Sequence, residues 1–225
     1  MSDRIAEAVE RGREKLLGPR VVNFNNGMQL VIKINVPQPS ITLQKDSKML
    51  LDLRTFAPEG THIRYNPGGK WGAMLGNETQ SPSILIGKFK GVDSALDFLH
   101  ECGHLHNETL TDLALTAERR YSEQYFGKVP SDHSKERIQA LKQRHEAVMY
   151  SERNAWAFSL RTVRNLEREF GVNILEQMHG NDGLLSYINN YLREYESQTM
   201  TELEYLDLPV VTFDQMRDML STLVS

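Results

Sequence analysis

His100-Glu101-Cys102-Gly103-His104 is the segment of this chain whose residue types and spacing speak most directly of chemistry. Histidines four positions apart share one face of a helix, with about 5–6 Å between their Cβ atoms. Two imidazoles so placed can close on one Zn²⁺, and the glutamate between them can take a proton from a metal-bound water. Histidine is scarce, at 7 of 225 residues. By composition alone H-E-x-x-H would arise at a rate on the order of one in fifty. Laid out at about 100° per residue, Val92, Ala95, Leu96, Leu99, Cys102 and Gly103 form an apolar stripe, while Asp93, Asp97, His100, Glu101, His104 and Glu108 form another side. The competing reading is a solvated face that holds two histidines by chance. Cys102 points away from the histidines and reads as a small buried thiol. His106 leaves the ligand face and reads as a surface residue.

A catalytic zinc usually has three protein ligands and a water. A histidine six residues after His104 is excluded, because that position is Leu110. Glu108 shares the face, but on a continuous helix it lies about 12 Å along the axis from His100, too far for one ion. A distant glutamate remains. Leu141, His145, Val148, Glu152, Ala155, Trp156, Ser159, Val163, Leu166 and Phe170 follow i, i+3, i+4 spacing. That stripe is apolar except for an imidazole, a hydroxyl and one carboxylate. A buried unpaired carboxylate costs several kcal/mol or becomes protonated, so Glu152 needs a partner. A metal ion would serve, as would a buried ion pair with Arg54 or Arg64. His145, two turns earlier, could hydrogen-bond a tetrahedral intermediate or the carboxylate ligand; it could equally be a satisfied core histidine. Tyr65, Tyr121 and Tyr150 are oxyanion-donor candidates among which nothing selects.

The elements that must position these residues change in texture along the chain. Val21 to Phe24 and Met28 to Val36 flank Asn25-Asn26-Gly27 as a hairpin. Met49 to Phe56, His62 to Tyr65 and Lys70 to Leu75 read as further strands, separated by Pro/Gly turns. Ser83 to Phe89 is the strongest strand, directly before the motif. Helical patterns follow at Val92 to Asn107, Leu110–Phe126, Ser134–Phe170, Leu184–Ser197 and Phe213–Val224, the last opened by a capping box at Thr212 and Gln215. The expected class is α+β, a single domain over 1–225. It would have a β-rich lobe with the motif helix over 1–108 and a helical lobe carrying the third ligand over 109–225.

His-Glu-Cys-Gly-His followed by Glu152-Arg-Asn-Ala155-Trp-Ala-Phe158 resembles gluzincin-type zinc peptidases, and among them looks most like the ImmA/IrrE-type family. The resemblance covers roughly Ser83 to Leu160. It implies a zincin-like fold with the substrate in a cleft between two lobes. It also implies Zn²⁺ on His100, His104 and Glu152, and Glu101 as general base. Ala155 and Phe158 match structural positions of the family pattern. Three features depart from it. The interval between His104 and Glu152 is long, as if Tyr121–Arg144 were an insertion. Trp156 stands where Asn or Asp often supports the site. No helix-turn-helix segment accompanies the domain.

The expected reaction is hydrolysis of a peptide bond in a peptide or protein substrate, by a zinc-activated water with Glu101 as base. Ser83 to Phe89 is the expected edge strand against which such a substrate pairs. The alternative is a catalytically inactive, zinc-stabilised binding or regulatory module. A carboxylate-bridged di-iron protein needs a second E-x-x-H on a helix, and the other instance, Glu59-Gly-Thr-His62, falls in a Pro/Gly turn. A net charge of −4 does not suggest a general nucleic-acid binder. No apolar run approaches the roughly 20 residues needed to span a bilayer. Met1 to Gly18 is polar and lacks a signal peptide's apolar core. The only cysteine, Cys102, excludes an intrachain disulfide. These features set a cytoplasmic expectation, with oligomeric state and substrate identity undetermined by the sequence.

Overall fold

A computed structural model describes residues 18–34, 39–66, 69–125 and 135–205, and the structural statements below refer to them. The molecule is α+β. Its N-terminal half carries a four-stranded antiparallel sheet of β1 (Arg20–Asn23), β2 (Met28–Lys33), β3 (Ser40–Lys45) and β4 (Lys48–Asp52), in that order. Leu30, Ile32, Ile41 and Leu43 turn inward from β2 and β3. The sequence reading did not place β3. It is joined to β4 through Asp46 and Ser47, both with positive φ (50° and 63°), a left-handed two-residue turn made without glycine. A 3-10 turn at Leu53–Phe56 follows β4.

A second, three-stranded sheet holds β5 (His62–Tyr65), β6 (Gly72–Met74) and β7 (Ser83–Ile86) in the order β5-β7-β6. Here the sequence expectation is corrected. β7 is not an edge strand: it pairs in parallel with β5 and antiparallel with β6. Its uninterrupted Ile84-Leu85-Ile86 run suits a central strand. The edge beside the helices is β6 instead.

The rear half is helical: α1 (Asp93–His106), α2 (Glu108–Tyr125), α3 (Lys135–Phe170), the short α4 (Ile174–Gln177) and α5 (Gly180–Tyr205). Asn107 separates α1 from α2; its side-chain amide and backbone N–H both donate to Gly103 O. The N-terminal part of α3 folds back along α2. Tyr121 and Leu141 make a small apolar cluster there, and the Arg144 guanidinium donates to Glu118 at 2.6 and 2.9 Å. The described ends of the interval expected as an insertion, Tyr121–Tyr125 and Lys135–Arg144, are helical and pack against each other. At its other end α3 stops at Gly171 (φ 64°), where Asn26 Nδ2 donates to the carbonyls of Phe170 and Gly171. This ties the first hairpin to the helix that carries Glu152.

One apolar core joins the sheets to α1, α3 and α5, through residues such as Leu30, Ile84, Phe98, Leu99, Trp156 and Ile188. No helix among the described residues is long and apolar enough to cross a membrane. The expected helix over Phe213–Val224, with its capping box, lies outside the described residues.

Candidate metal centre

The site begins as a backbone contact. A Cβ built on Gly103 would stand 2.7 Å from Ala155 Cα and 2.7 Å from Ala155 O. Only glycine on α1, opposite a small residue on α3, lets the helices approach so closely. One turn along, Ser159 Oγ donates to Leu96 O at 3.0 Å. The Gly103 and Ala155 positions of the two motifs thus set a helix crossing, and the crossing carries Glu152 to the histidines.

There the three side chains converge. His100 Nε2 lies 3.2 Å from Glu152 Oε2, and His104 Nε2 lies 3.5 Å from Glu152 Oε1. The two Nε2 atoms are 3.1 Å apart. Donors bound at about 2.0–2.1 Å around a tetrahedral zinc lie about 3.3–3.4 Å from one another. The spacing fits a single small ion, and this buried group could hold one. Relative exposure is 1% for His100, 3% for Glu101, 5% for Glu152 and 9% for His104, which removes the solvated-face reading. Nor does Glu152 meet the arginines offered as its alternative. Arg54 is paired with Asp52, and Arg64 is exposed.

The histidines are held differently. His104 Nδ1 lies 3.2 Å from Ser151 Oγ, and Thr111 Oγ1 is placed 3.4 Å from that hydroxyl and donates to His104 O at 2.9 Å. A donating Nδ1–H leaves the Nε2 lone pair facing Glu152. His100 has ring contacts instead: Trp156 at 4.2 Å between centroids and Tyr191 at 5.4 Å. Trp156 packs on the His100 ring and so fixes its orientation. His100 Nδ1 and Trp156 Nε1 have no hydrogen-bond partner among the described residues. Each Glu152 oxygen faces one imidazole nitrogen in a buried setting, a donor set that a cation would satisfy.

Charges reinforce one another here. Burial opposes ionisation of Glu152, but hydrogen bonds from His100 and His104 hold its carboxyl well below the usual range. Burial drives His100 down, while on His104 the attraction of Glu152 and Glu101 outweighs burial and the net shift is upward. Glu101 is pushed up to about 8, first by burial and then by Glu152 and Asp97, with His104 and a hydrogen bond from the Ala73 backbone acting against this. The general-base candidate is thereby tied to the edge strand β6.

No protein-family model, curated protein or solved structure matches this chain.

A cleft of about 230 Å³ opens in front of the three donors, with Gly72 and Ala73 of β6 on one side and Thr111, Leu115, Ser151, Tyr191 and Tyr195 among its other walls. His145 is half-buried on α3 and does not line this cleft. The three tyrosines singled out from the sequence lie elsewhere. Tyr150 is exposed, Tyr121 belongs to the hairpin cluster, and Tyr65 lines a different cavity. Glu108 is exposed at the start of α2. Cys102 is fully buried, its thiol pushed up by burial. His106 is exposed but fixed, with Nε2 2.7 Å from Phe56 O and its ring stacked on Phe158.

Sequence reasoning missed the contribution of α5. Tyr187, Tyr191 and Tyr195 are spaced four apart, an aromatic stripe at helical period that was open to notice. Tyr187 Oη donates to Asp97 Oδ1 at 2.5 Å, and Asp97 Oδ2 lies 3.7 Å from Lys90 Nζ. The Tyr191 hydroxyl is raised by burial and then by Glu101 and Asp97, so it stays protonated and able to donate.

Proposed function

We propose that the protein is a zinc-dependent metallopeptidase of gluzincin type, similar in its motifs to the ImmA/IrrE-type enzymes, acting on a peptide or protein substrate. One observation carries this reading: the Glu152 carboxylate meets two imidazole nitrogens at metal-ligand spacing, beside a buried glutamate and an open cleft. Two imidazoles and one carboxylate form a donor set suited to catalytic zinc. Zinc bound there would lower the pKa of a coordinated water toward about 7 and polarise a carbonyl.

The chain's own residues do the rest. His100, His104 and Glu152 hold the ion, and Ser151 holds His104. Glu101 takes the proton of the attacking water and passes it to the leaving amine. A nearby divalent charge favours the ionised form of Glu101 that this role requires. The Tyr191 hydroxyl donates to the carbonyl oxygen as negative charge gathers on it. An extended substrate adds to the edge at β6, where Gly72 and Ala73 line the cleft.

The experiment is hydrolysis of an unfolded protein, abolished by a chelator and restored by Zn²⁺. Glu101→Gln should keep the metal and lose about 10²–10⁴-fold in rate. Equal rates for variant and parent would show that the assigned base is wrong. Metal without any hydrolysis would favour the inactive binding module.

A further inference from the structure

α5 meets α1 through a buried polar contact that the proposed reaction leaves unused. The core face of α5 is Leu184, Ile188 and Leu192, all buried. Tyr187 and Tyr191 each precede one of these residues, and so lie on the flank of that stripe. Apolar burial is non-directional. It holds the helix against the core without fixing how the helix is rolled about its own axis.

α1 supplies the directional contact. Asp97 Oδ1 accepts the Tyr187 hydroxyl at 2.5 Å, and the Asp97 side chain has no exposed surface. Lys90 Nζ lies 3.7 Å from the other oxygen and 5.6 Å from the centre of the Tyr187 ring. An apolar side chain at this position would avoid the cost of burying a carboxylate. What the carboxylate adds is an acceptor at a fixed point, and a hydrogen bond has a preferred direction as well as a length.

The spacing along the two helices matches. Asp97 precedes His100 by about one turn, and Tyr187 precedes Tyr191 by about one turn. Asp97 holds Tyr187; one turn on, the ring centroids of His100 and Tyr191 are 5.4 Å apart. Trp156 of α3 stands edge-on to both tyrosines, 6.1 Å from Tyr187 and 5.4 Å from Tyr191. Tyr191 is thus placed by two rings of the site and by a helix backbone pinned one turn earlier.

We propose that Asp97 and Tyr187 are positioning residues: their hydrogen bond fixes the roll of α5 and so places Tyr191 at the wall of the metal cleft. The use made of the Tyr191 hydroxyl rests on the peptidase reading, whereas its placement by this pair does not.

Tyr187→Phe and Asp97→Leu remove the hydrogen bond, and Asp97→Asn keeps an acceptor. Protein labelled with 3-fluorotyrosine is examined by ¹⁹F NMR, with the Tyr191 resonance assigned by its loss in Tyr191→Phe. The rings of His100 and Trp156 shift this resonance, so it reports where the Tyr191 ring stands without any turnover. It should move or broaden in Tyr187→Phe and in Asp97→Leu, and keep its parental position in Asp97→Asn. Zinc-loaded protein is then assayed on fluorescently labelled unfolded casein. Tyr187→Phe should lower kcat by about 10–100-fold, with KM and zinc affinity unchanged, since outright loss of an oxyanion donor costs about 10²–10³-fold. In the Tyr191→Phe background the same substitution should lower kcat no further, because the hydroxyl it positions is gone. A Tyr191 resonance that stays in place in both Tyr187→Phe and Asp97→Leu would overturn the proposal. So would an equal loss of kcat in both backgrounds, the mark of a general structural role. Absence of hydrolysis by the parent enzyme would bear on the peptidase reading alone, and the resonance would still decide the placement.

Discussion

Ser151 is the residue through which α3 controls both a ligand and its support. It precedes Glu152 and meets His104 Nδ1 at 3.2 Å. Removing such a partner typically costs about 10–100-fold in metal affinity. Ser151→Ala should therefore weaken zinc binding by that order in competition with a chromophoric chelator, and unchanged affinity would deny the hydroxyl this role. Asp97 makes a different test. Burial, opposed by the Tyr187 hydrogen bond and by Lys90 and reinforced by Asp93, raises its carboxyl from 3.8 to about 6. The folded state thus binds more protons than the unfolded state between those values, and this group's contribution to stability falls as pH rises through the window. Asp97→Asn keeps an acceptor for Tyr187 and removes the charge. In metal-free protein it should match the parent near pH 4 and exceed it at pH 7 by about 1–3 kcal/mol, read from thermal or denaturant unfolding at both pH values. A variant equally destabilised at both would contradict the assignment. Neither residue stood out in the sequence. Glu152 did, because a carboxylate interrupting an apolar stripe is a local anomaly. The hydroxyl of Ser151 and the pairing of Asp97 with Tyr187, ninety positions apart, become meaningful only once helices are packed.

Between α1 and α3 the deciding feature is the closeness of their crossing. Gly103→Ala must push Ala155 away or distort α1, because the added methyl would overlap its backbone. The expected loss is about 1–3 kcal/mol of folding stability, together with weaker zinc binding as Glu152 is drawn back from the histidines. Denaturant titration with and without zinc measures both, and a variant of parental stability would remove the crossing argument. The helices were legible because their apolar stripes persist over many turns. The strands were less so. β3 escaped because its turn uses Asp46 and Ser47 rather than glycine. The position of β7 directly before the motif helix suggests an edge, but its unbroken apolar run suits the central place it takes between β5 and β6. That reassignment moves the proposed substrate contact to β6, Gly72–Met74, which lies inside the strand expected over Lys70 to Leu75.

Across the whole molecule, the α+β layout and the meeting of a β-rich front with a helical rear followed from the change in residue texture. The role of α5 did not, since its tyrosines act at a site built mostly from α1 and α3. Asn26 anchors the first hairpin to the end of α3, and the Arg144–Glu118 pair joins the N-terminal part of α3 to α2. The fold can be viewed as a frame that brings one carboxylate to two imidazoles, with the edge of a sheet and the tyrosines of α5 beside them. The most direct test of that account is zinc content and affinity, measured by elemental analysis and chelator competition, in the parent and in Glu152→Ala side by side. The account predicts one tightly held zinc per parent chain and a large loss in the variant, with the variant still folded. A parent that takes up no stoichiometric metal, or a variant that holds it as tightly as the parent, would contradict it.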